Sequence, residues 1–433
     1  MMRILLIAYE FPPISSAQSL RWAKLAGELS DQGHDVTVLT TNFRVVNKLT
    51  PDLKAELTVI RTCPGIFMSL TNRIQARFFS AKRRDVPDGI LVQSKPMFIR
   101  LYRRLRGILN QVVFPDLRTE WYPFARVAIG HLLRSGYKPD LVVGSHEPAI
   151  DIELAIHASR SFGAPSIADL GDPIDTVYSP KWRRRLDRLY EASLIRRVDG
   201  ITVTIEEARQ VLSNRHKAKI DKFAVVPQGF DRCAAPEPRS TIAFNRACLN
   251  IVFTGTLYEK FRYPRFFLKK LREQSEVRLW IIGNLVGEFP EIENSESISF
   301  LGTLQYSAVR EIQMMADVLL SVANKQSEQI PGKIFEYFGA QRPILHVSFG
   351  GDDPTAAMIH KYKRGWMVRD ADRDCTEVLG DIKARWRSNS LEELLDLDSA
   401  LLSEFSWARR AEQFIDFAKK VKKKDASGAS AFE

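Results

Sequence analysis

Cysteine is scarce in this sequence. Its four cysteines, Cys63, Cys233, Cys248 and Cys375, are scattered through 433 residues. No CxxC pair and no Cys/His cluster occurs among them, which argues against a zinc site and against a disulfide framework. The pattern fits a protein of the reducing cytoplasm, and we predict that location.

Long apolar runs are also missing. None approaches the roughly 20 residues that a helix needs to span a bilayer. The first residues, MMRILLIAYEF, hold a short apolar run that an acidic residue follows at once, which does not fit a signal peptide. We interpret this run as a buried first strand. No GxGxxG motif follows it, and this absence argues against an NAD-dependent oxidoreductase.

Positive charge is present in excess and is unevenly distributed. The net charge is +11, and residues 71–110 contain ten Lys and Arg against Asp85 and Asp88. Aromatic and aliphatic residues lie between these charges, and further basic clusters occur at 181–185 and 422–424. Region 71–110 is either a solvated face or a contact with an anionic membrane surface at the inner membrane face. Nucleic acid is not expected as a partner, because no recognisable nucleic-acid module accompanies the charge.

The length suggests two domains, and both halves alternate strands with helices. The strands are apolar without alternation, as strands covered on both faces are, so the pattern is typical of doubly wound parallel sheets. Strands are predicted at 4–8, 36–40, 140–144, 165–169, 200–204, 223–227, 249–255, 277–283, 298–302, 318–322 and 343–347. Helices are predicted at 17–30, 182–197, 266–274, 306–315, 333–340 and 405–420.

The segment 327–340, SEQIPGKIFEYFGA, carries the most chemistry. Ligands of open parallel sheets bind beyond the carboxyl ends of the strands, and this segment follows the strand predicted at 318–322. A turn at Pro331-Gly332 should precede a helix that starts near Lys333. Glu328 then lies in the loop and Glu336 near the helix N-terminus, whose free N–H groups and positive dipole suit a phosphate. The segment therefore predicts amides for a diphosphate and carboxylates for sugar hydroxyls.

This segment resembles the Glu-x7-Glu signature of the retaining glycosyltransferases of family 4. Other stretches are similar to family motifs in the same order: GHDVTVLT at 33–40, VVPQGFD at 225–231, IVFTGTL at 251–257, LWIIG at 279–283, FLG at 300–302 and ADVLLSV at 316–322. The stretch DLGDP at 169–173 resembles one found in a bacterial subgroup that acts on surface-polysaccharide precursors.

The resemblance implies an α/β protein of the GT-B fold, with two facing Rossmann-like domains. The N-terminal domain, 1–235, is expected to bind the acceptor, and the C-terminal domain, 236–404, the nucleotide sugar. Residues 233–248 contain two prolines and are interpreted as the linker. A helix at 405–424 is expected to pack back on the N-terminal domain, and 425–433 is expected to be a disordered tail.

The family's donor residues can be carried over position by position. Glu336 would bind the ribose hydroxyls, and Glu328 the hydroxyls of the donor sugar. The amides from Ile330 onward and the charge of Lys333 would hold the diphosphate. Gly255, in a turn after the first C-domain strand, would let the backbone approach that phosphate.

Two more features of the donor side follow from the resemblance. Gly283 ends a strand that usually flanks the nucleobase pocket. The sequence departs from the family where an Arg is usual, because Thr256 stands there. Arg262 is favoured over Lys260 as the replacement, and a solvated loop charge is the alternative for either.

The acceptor side is predicted from the first half. Asp172 follows a strand and could orient or deprotonate an acceptor hydroxyl, and Asp169 competes for that role. His146, at a strand end, could line the acceptor pocket or be structural. The first loop has Ser15 and Ser16 where the family often has glycines, and their hydroxyls and the helix N-terminal amides can still bind an anion.

The resulting prediction is a retaining transferase that moves a sugar from a nucleoside diphosphate sugar to a saccharide or a lipid-diphosphate-linked acceptor. The leaving phosphate is expected to take the acceptor proton on the same face, with the protein supplying position and charge. The resemblance implies no metal and no cofactor. A nucleotide-sugar epimerase of the same fold and a non-catalytic sugar- or membrane-binding protein remain alternatives. A phosphorylase would need a cofactor lysine or phosphate site, and none is recognisable.

Overall fold

A computed structural model describes residues 1–14, 16–43, 57–70, 113–175, 182–231, 244–293, 295–325, 330–351 and 353–429. The chain divides into two compact units. The first unit comprises Met1–Pro227 and Arg410–Glu433, and the second comprises Gln228–Arg409.

The first unit is built on a seven-stranded parallel sheet of order β3-β2-β1-β4-β5-β6-β7. Its strands are β1 Arg3–Ile7, β2 Asp35–Thr41, β3 Thr58–Thr62, β4 Leu141–His146, β5 Ser166–Leu170, β6 Gly200–Val203 and β7 Phe223–Val225. Its α-helices are α1 Ala17–Asp31, α2 Tyr122–Arg134, α3 Ile150–Phe162, α4 Arg184–Arg197 and α5 Glu206–His216. The unit also contains two 3-10 helices, Leu117–Trp121 and Ile220–Lys222.

The second unit repeats the plan with a six-stranded parallel sheet of order β10-β9-β8-β11-β12-β13. Its strands are β8 Leu249–Tyr258, β9 Val277–Val286, β10 Ile298–Gly302, β11 Val318–Val322, β12 Ile344–Ser348 and β13 Gly365–Arg369. Its α-helices are α6 Arg265–Arg272, α7 Tyr306–Met315, α8 Lys333–Ala340, α9 Pro354–Lys361 and α10 Asp372–Arg387, followed by a 3-10 helix, Ser399–Phe405.

The central strands are buried on both faces, as their unbroken apolar sequence predicts. In β1 the side chains of Ile4, Leu5, Leu6 and Ile7 are all fully buried. Every strand pair in both sheets is parallel, so the carboxyl ends of the strands in each unit share one edge. The predicted α/β fold with two Rossmann-like domains is confirmed.

The last helix, α11 Trp407–Ala429, belongs to the first unit from Arg410 onward. The ring of Phe414 packs edge-on against Trp22 in α1, with centroids 5.5 Å apart. A Cβ on Gly200 would lie within 3.1 Å of Phe417 and Val421, so the helix packs closely on β6. The predicted return of this helix to the N-terminal domain is confirmed. The helix continues through Ala429, into the tail predicted to be disordered, because extending a helix that is already anchored costs little.

Several predicted features fall outside the described residues. These are the basic region over 71–110 and most of the linker, at 232–243. Within the described residues, no helix combines the length and the apolar character needed to cross a bilayer.

Candidate functional site

The carboxyl edge of the second sheet carries an ion pair between Glu336 and Lys333. Helix α8 begins at Lys333, directly after Pro331-Gly332, as predicted. Glu336 is only 5% exposed, and its carboxylate accepts hydrogen bonds from the Lys333 ammonium at 2.9 Å and 2.7 Å. The Lys333 side chain remains 37% exposed. The pair is therefore closed on its anionic side and open on its cationic side.

A buried hydrogen-bond network in the second unit fixes the Glu336 carboxylate. The Gln313 amide nitrogen donates to the Glu336 carboxylate at 3.3 Å and to the Thr254 hydroxyl at 2.9 Å. The Tyr337 hydroxyl accepts from the Thr254 N–H at 2.9 Å and donates to the Leu320 carbonyl at 3.1 Å. Burial raises the pKa of Tyr337 to about 12, so this hydroxyl stays a neutral donor. The network joins α7, β8, β11 and α8 and fixes the carboxylate in place.

Helix α7 supplies a second support that the sequence analysis missed. Arg310 is 5% exposed and donates to the backbone carbonyls of Glu336 at 3.3 Å and Asp231 at 3.2 Å. The Tyr306 hydroxyl donates to the Asp231 carboxylate at 3.2 Å, and burial, aided by Glu336 and Asp231, raises the pKa of Tyr306. Tyr306, Arg310 and Gln313 recur at intervals of four and three, a polar stripe on one helix face that could have indicated a buried network.

Arg262 lies in a loop that is tied to the loop after β11. Its guanidinium donates to the Asn324 side chain at 2.7 Å, and the Lys325 N–H donates to the Phe261 carbonyl at 2.8 Å. Burial raises the pKa of the Tyr337 hydroxyl, and the positive charge of Arg262 lowers it by a smaller amount. Arg262 therefore lies near the hydrogen-bond network that fixes Glu336, whereas Lys260 is an exposed loop residue.

Gly255 and Gly283 face each other across β8 and β9. Their φ angles are +145° and +137°, and a Cβ on Gly283 would lie 1.8 Å from the Gly255 carbonyl oxygen. Only glycine fits such an approach. The predicted turn at Gly255 is wrong, because β8 pairs with β9 as far as Tyr258 and carries Thr256, half-buried, within the ladder opposite Asn284.

The loop before α8 is described only in part. Ile330 is half-buried and packs against the apolar core of the second unit, which leaves its backbone at the entry to the helix. Glu328 lies among residues 326–329, outside the described part of the chain. Within the described ranges, no group of three or more His, Cys, Asp or Glu side chains could hold a metal ion.

In the first unit, Asp169 forms a closed ion pair. Its carboxylate accepts two hydrogen bonds from the Arg21 guanidinium at 2.9 Å, one from Trp22 Nε1 at 2.9 Å and one from the Thr202 hydroxyl at 2.7 Å. Asp169 and Arg21 are both fully buried. These contacts favour a structural role for Asp169 over the predicted acceptor role, because no carboxylate oxygen is left for a hydroxyl group.

The other acceptor-side candidates lie together at the carboxyl edge of the first sheet. His146 ends β4 with 6% of its surface exposed, and its Nδ1 has no partner among the described residues. The Gln18 amide of α1 donates to the His146 carbonyl and also lies against Gly171. Asp172 follows Gly171 and is half-exposed. Histidine and carboxylate side chains at one edge are suited to orient a hydroxyl group.

Ser16 is the N-cap of α1. Its hydroxyl oxygen accepts from the Ser19 N–H at 3.0 Å, which is the usual function of a serine at this position. Ser15 lies outside the described residues. Ser16 thus has a structural function that accounts for its presence without an anion.

Two family models match successive parts of the sequence. One, described as a glycosyl transferase 4-like domain, matches residues 17–229. The other, described as glycosyl transferases group 1, matches residues 248–380, so that together they match most of the chain. No curated protein sequence matches it.

Several solved structures share the fold over nearly their whole length. Sucrose-phosphate synthase from Thermosynechococcus elongatus has a TM-score of 0.63 at 12% identity, covering 97% of this chain and 99% of its own. Anabaena HepE in complex with UDP and glucose has a TM-score of 0.61 at 12% identity, covering 97% and 100%. TarM of S. aureus, in complex with a glycosylated glycerol and UDP, has a TM-score of 0.58 at 8% identity, covering 96% and 100%.

Proposed function

This chain belongs to the glycosyltransferases that join a 4-like domain to a group 1 domain, and we propose that it transfers a sugar from a nucleoside diphosphate sugar to a saccharide or lipid-linked acceptor. The observation that carries this proposal is the open ion pair of Glu336 and Lys333 at the N-terminus of α8. HepE, which shares the fold, has been solved with UDP-glucose, so a UDP-sugar is the first donor to consider.

Glu336 is suited to bind two vicinal hydroxyl groups. A carboxylate accepts hydrogen bonds on both oxygens, and the Gln313 and Lys333 contacts hold those oxygens at fixed positions. We assign it the ribose hydroxyls. Glu328, eight positions earlier, is assigned the hydroxyls of the transferred sugar.

The diphosphate is assigned to the positive groups around α8. A lysine ammonium has three N–H donors, so Lys333 can contact Glu336 and a phosphate oxygen at the same time. The backbone N–H groups of Gly332 and Lys333, at the start of α8, add the positive end of the helix dipole; Pro331 has no N–H. Arg262 lies near the same network and is assigned the charge that develops on the leaving diphosphate. These groups supply enough positive charge for a reaction that uses no metal, which we propose here.

The transfer is proposed to retain the anomeric configuration. The leaving phosphate takes the proton of the acceptor hydroxyl as that oxygen attacks the anomeric carbon from the same face, and the bond to the nucleotide breaks. Asp172 is assigned the orientation of that hydroxyl, and His146 the wall of the acceptor site. A role in surface-polysaccharide synthesis follows from the DLGDP stretch, and cytoplasmic activity at the inner membrane face from the basic region 71–110.

Calorimetry with UDP-, GDP-, ADP- and dTDP-sugars tests the donor site. We expect one of them to bind, and Glu336→Gln to weaken that binding by about 1–3 kcal/mol, the cost of lost charged hydrogen bonds. Asp317→Asn is the matched control, because Asp317 accepts a backbone N–H at the opposite, amino-terminal edge of the same sheet. It should leave the affinity unchanged.

Turnover then separates the alternatives. Release of a nucleoside diphosphate only when an acceptor is present supports a transferase, and NMR of the product gives its anomeric configuration. Release of an altered sugar without acceptor would support an epimerase. Binding without turnover with any saccharide or lipid-linked acceptor would favour a non-catalytic binding protein, and absence of binding across the panel would refute the donor site.

A further inference from the structure

Helix α4 exposes apolar side chains on one face. Leu186 is 47% exposed and Leu189 is 68% exposed, and Trp182, just before the helix, is 61% exposed. Spacings of four and three residues place them on one side. Phe114, 39% exposed, lies beside them, because its ring packs against Tyr190 with centroids 5.3 Å apart. We call Phe114, Trp182, Leu186 and Leu189 the α4 patch.

Helix α4 and the residues just before it carry an excess of positive charge. Residues 181–197 contain seven Lys and Arg but only two acids, Asp187 and Glu191. Both acids are fully buried, Asp187 against Arg183 and Glu191 against Arg215. Arg185 and Arg196 are exposed around the patch, and Arg188 is 54% exposed although it pairs with Asp175.

Local ion pairs account for only part of this arrangement. Arg183 pairs with Asp187 and Arg184 with Asp175, whereas Arg185 stands at the N-terminus of α4, where the helix dipole disfavours a positive charge. The apolar members of the α4 patch keep between 39% and 68% of their surface exposed. The composition of this face therefore indicates a partner that is anionic and has an apolar interior.

We propose that the α4 patch docks on an anionic lipid bilayer. Leucine and tryptophan side chains enter the interface of a bilayer, while arginines around them contact anionic headgroups. A second copy of this chain is a poorer occupant, because a two-fold contact would bring the same arginines together. The four residues of the α4 patch lie outside region 71–110 in the sequence.

The α4 patch is connected to the loop assigned to the acceptor. Asp175, three residues after Asp172, accepts hydrogen bonds from Arg184 at 3.0 Å and Arg188 at 2.6 Å, and the Ile174 N–H donates to Glu191 at 2.6 Å. Docking of α4 would thus place this loop near the lipid surface, where a lipid-linked acceptor is found. Only this last step rests on the proposed function.

Vesicle binding by the full chain tests the proposal. The probes are phosphatidylcholine vesicles with and without phosphatidylglycerol, and the variants are Leu189→Glu and, as control, Val127→Glu. Val127 is 60% exposed on α2, so both variants replace an exposed aliphatic side chain and change the net charge equally. We expect binding only to anionic vesicles, weakened about tenfold or more by Leu189→Glu and about twofold or less by Val127→Glu.

Tryptophan emission gives a second readout. Vesicles should shift the wild-type emission to shorter wavelength, and Trp182→Phe should abolish that shift. Equal binding by wild type and Leu189→Glu, or no binding by either, would overturn the proposal. A wild-type dimer that Leu189→Glu dissociates would also overturn it and make a second copy the occupant. Calorimetry with the nucleotide sugar, unchanged in Leu189→Glu, keeps these outcomes separate from the donor site.

Discussion

The two units each bury a carboxylate against a cation, but in different ways. In the first unit, Asp169 and Arg21 are both fully buried, and Arg21 also donates to the carbonyls of Val226 and Pro227. In the second unit, Glu336 is buried, whereas Lys333 reaches out with 37% of its side chain exposed. The closed pair joins α1, β5 and the segment after β7. In the open pair, the exposed Lys333 ammonium is accessible to a ligand at the N-terminus of α8.

The exposure of the cation distinguishes the structural ion pair from the proposed functional one more clearly than the residue types do. Both acids follow or lie near the carboxyl end of a strand, and both resemble family positions. A buried pair with every donor and acceptor used has no capacity left for a ligand, and breaking it leaves an uncompensated charge. An exposed lysine on a buried acid can exchange partners when a ligand arrives.

The largest expected effect comes from breaking the closed pair. Asp169→Asn leaves Arg21 charged and fully buried, so we expect the free energy of unfolding of the first unit to fall by about 3–5 kcal/mol. Urea unfolding measures it. Asp140→Asn is the control, since Asp140 pairs with Lys422 at the surface and should cost roughly 1 kcal/mol or less. Wild-type stability with lost acceptor use would show that Asp169 is a substrate ligand after all.

Removing the second cation near the open pair should affect turnover. Arg262→Ala is expected to lower the rate of transfer about 100- to 1,000-fold, as removal of a group that stabilises developing charge does, with little change in stability. Lys260→Ala should leave the rate unchanged, because Lys260 is an exposed neighbour in the same loop. Steady-state kinetics decides, and equal losses in the two variants would contradict the assignment.

The open pair itself can be broken from its cationic side. Lys333→Met would remove the phosphate contact proposed for Lys333 and leaves Glu336 with Gln313 as its remaining side-chain donor among the described residues, so donor affinity should fall by about 1–3 kcal/mol. Lys361→Met, at an exposed lysine of α9, should not change it. Calorimetry compares them, and undiminished affinity in Lys333→Met would remove Lys333 from the donor site.

A third carboxylate, Asp151, is buried without an ion-pair partner among the described residues, and this sharpens the comparison. It is fully buried and accepts the Tyr9 N–H at 2.7 Å, and burial raises the pKa of its carboxyl group. Since the unfolded pKa is lower, about 3.9, the wild type loses stability as pH rises from that value to the folded pKa.

Asp151→Asn should therefore match the wild type near pH 3 and become relatively more stable toward neutral pH, with about 1.4 kcal/mol gained for each pKa unit between the two states. Thermal unfolding as a function of pH measures this effect. A stability advantage that is greatest in acid would contradict the sign.

Much of the fold could be predicted, because buried parallel strands appear in the sequence as short apolar runs. Helices α7 and α8 begin and end at the predicted residues. Strands β3 and β13 were not predicted, because both lie at a sheet edge and are only partly buried, without a continuous apolar run. Helices α2, α3, α5, α9 and α10 were not predicted either. The turn at Gly255 was wrong because a glycine can also mark a close approach between strands, and here it faces Gly283.

Only the part of the site that is formed by residues close together in the sequence could be predicted. Lys333 and Glu336 are three positions apart, so a helix brings them together whatever the rest of the chain does. The closure of Asp169 depends on Arg21, 148 positions away, and the support of Glu336 depends on Gln313 in another helix. Such contacts form when distant segments pack together, so no fixed spacing in the sequence indicates them.

The most direct test is the rise in Tm that the bound nucleotide sugar, UDP-glucose first, produces in three proteins. A ligand that binds only the folded state raises Tm by an amount that increases with the logarithm of the ratio of its concentration to its Kd. We predict a lower starting Tm but a normal rise for Asp169→Asn, and a nearly normal starting Tm with a clearly smaller rise for Glu336→Gln at the same ligand concentration. A normal rise in Glu336→Gln together with a lost rise in Asp169→Asn would contradict the assignment of the open pair to the donor.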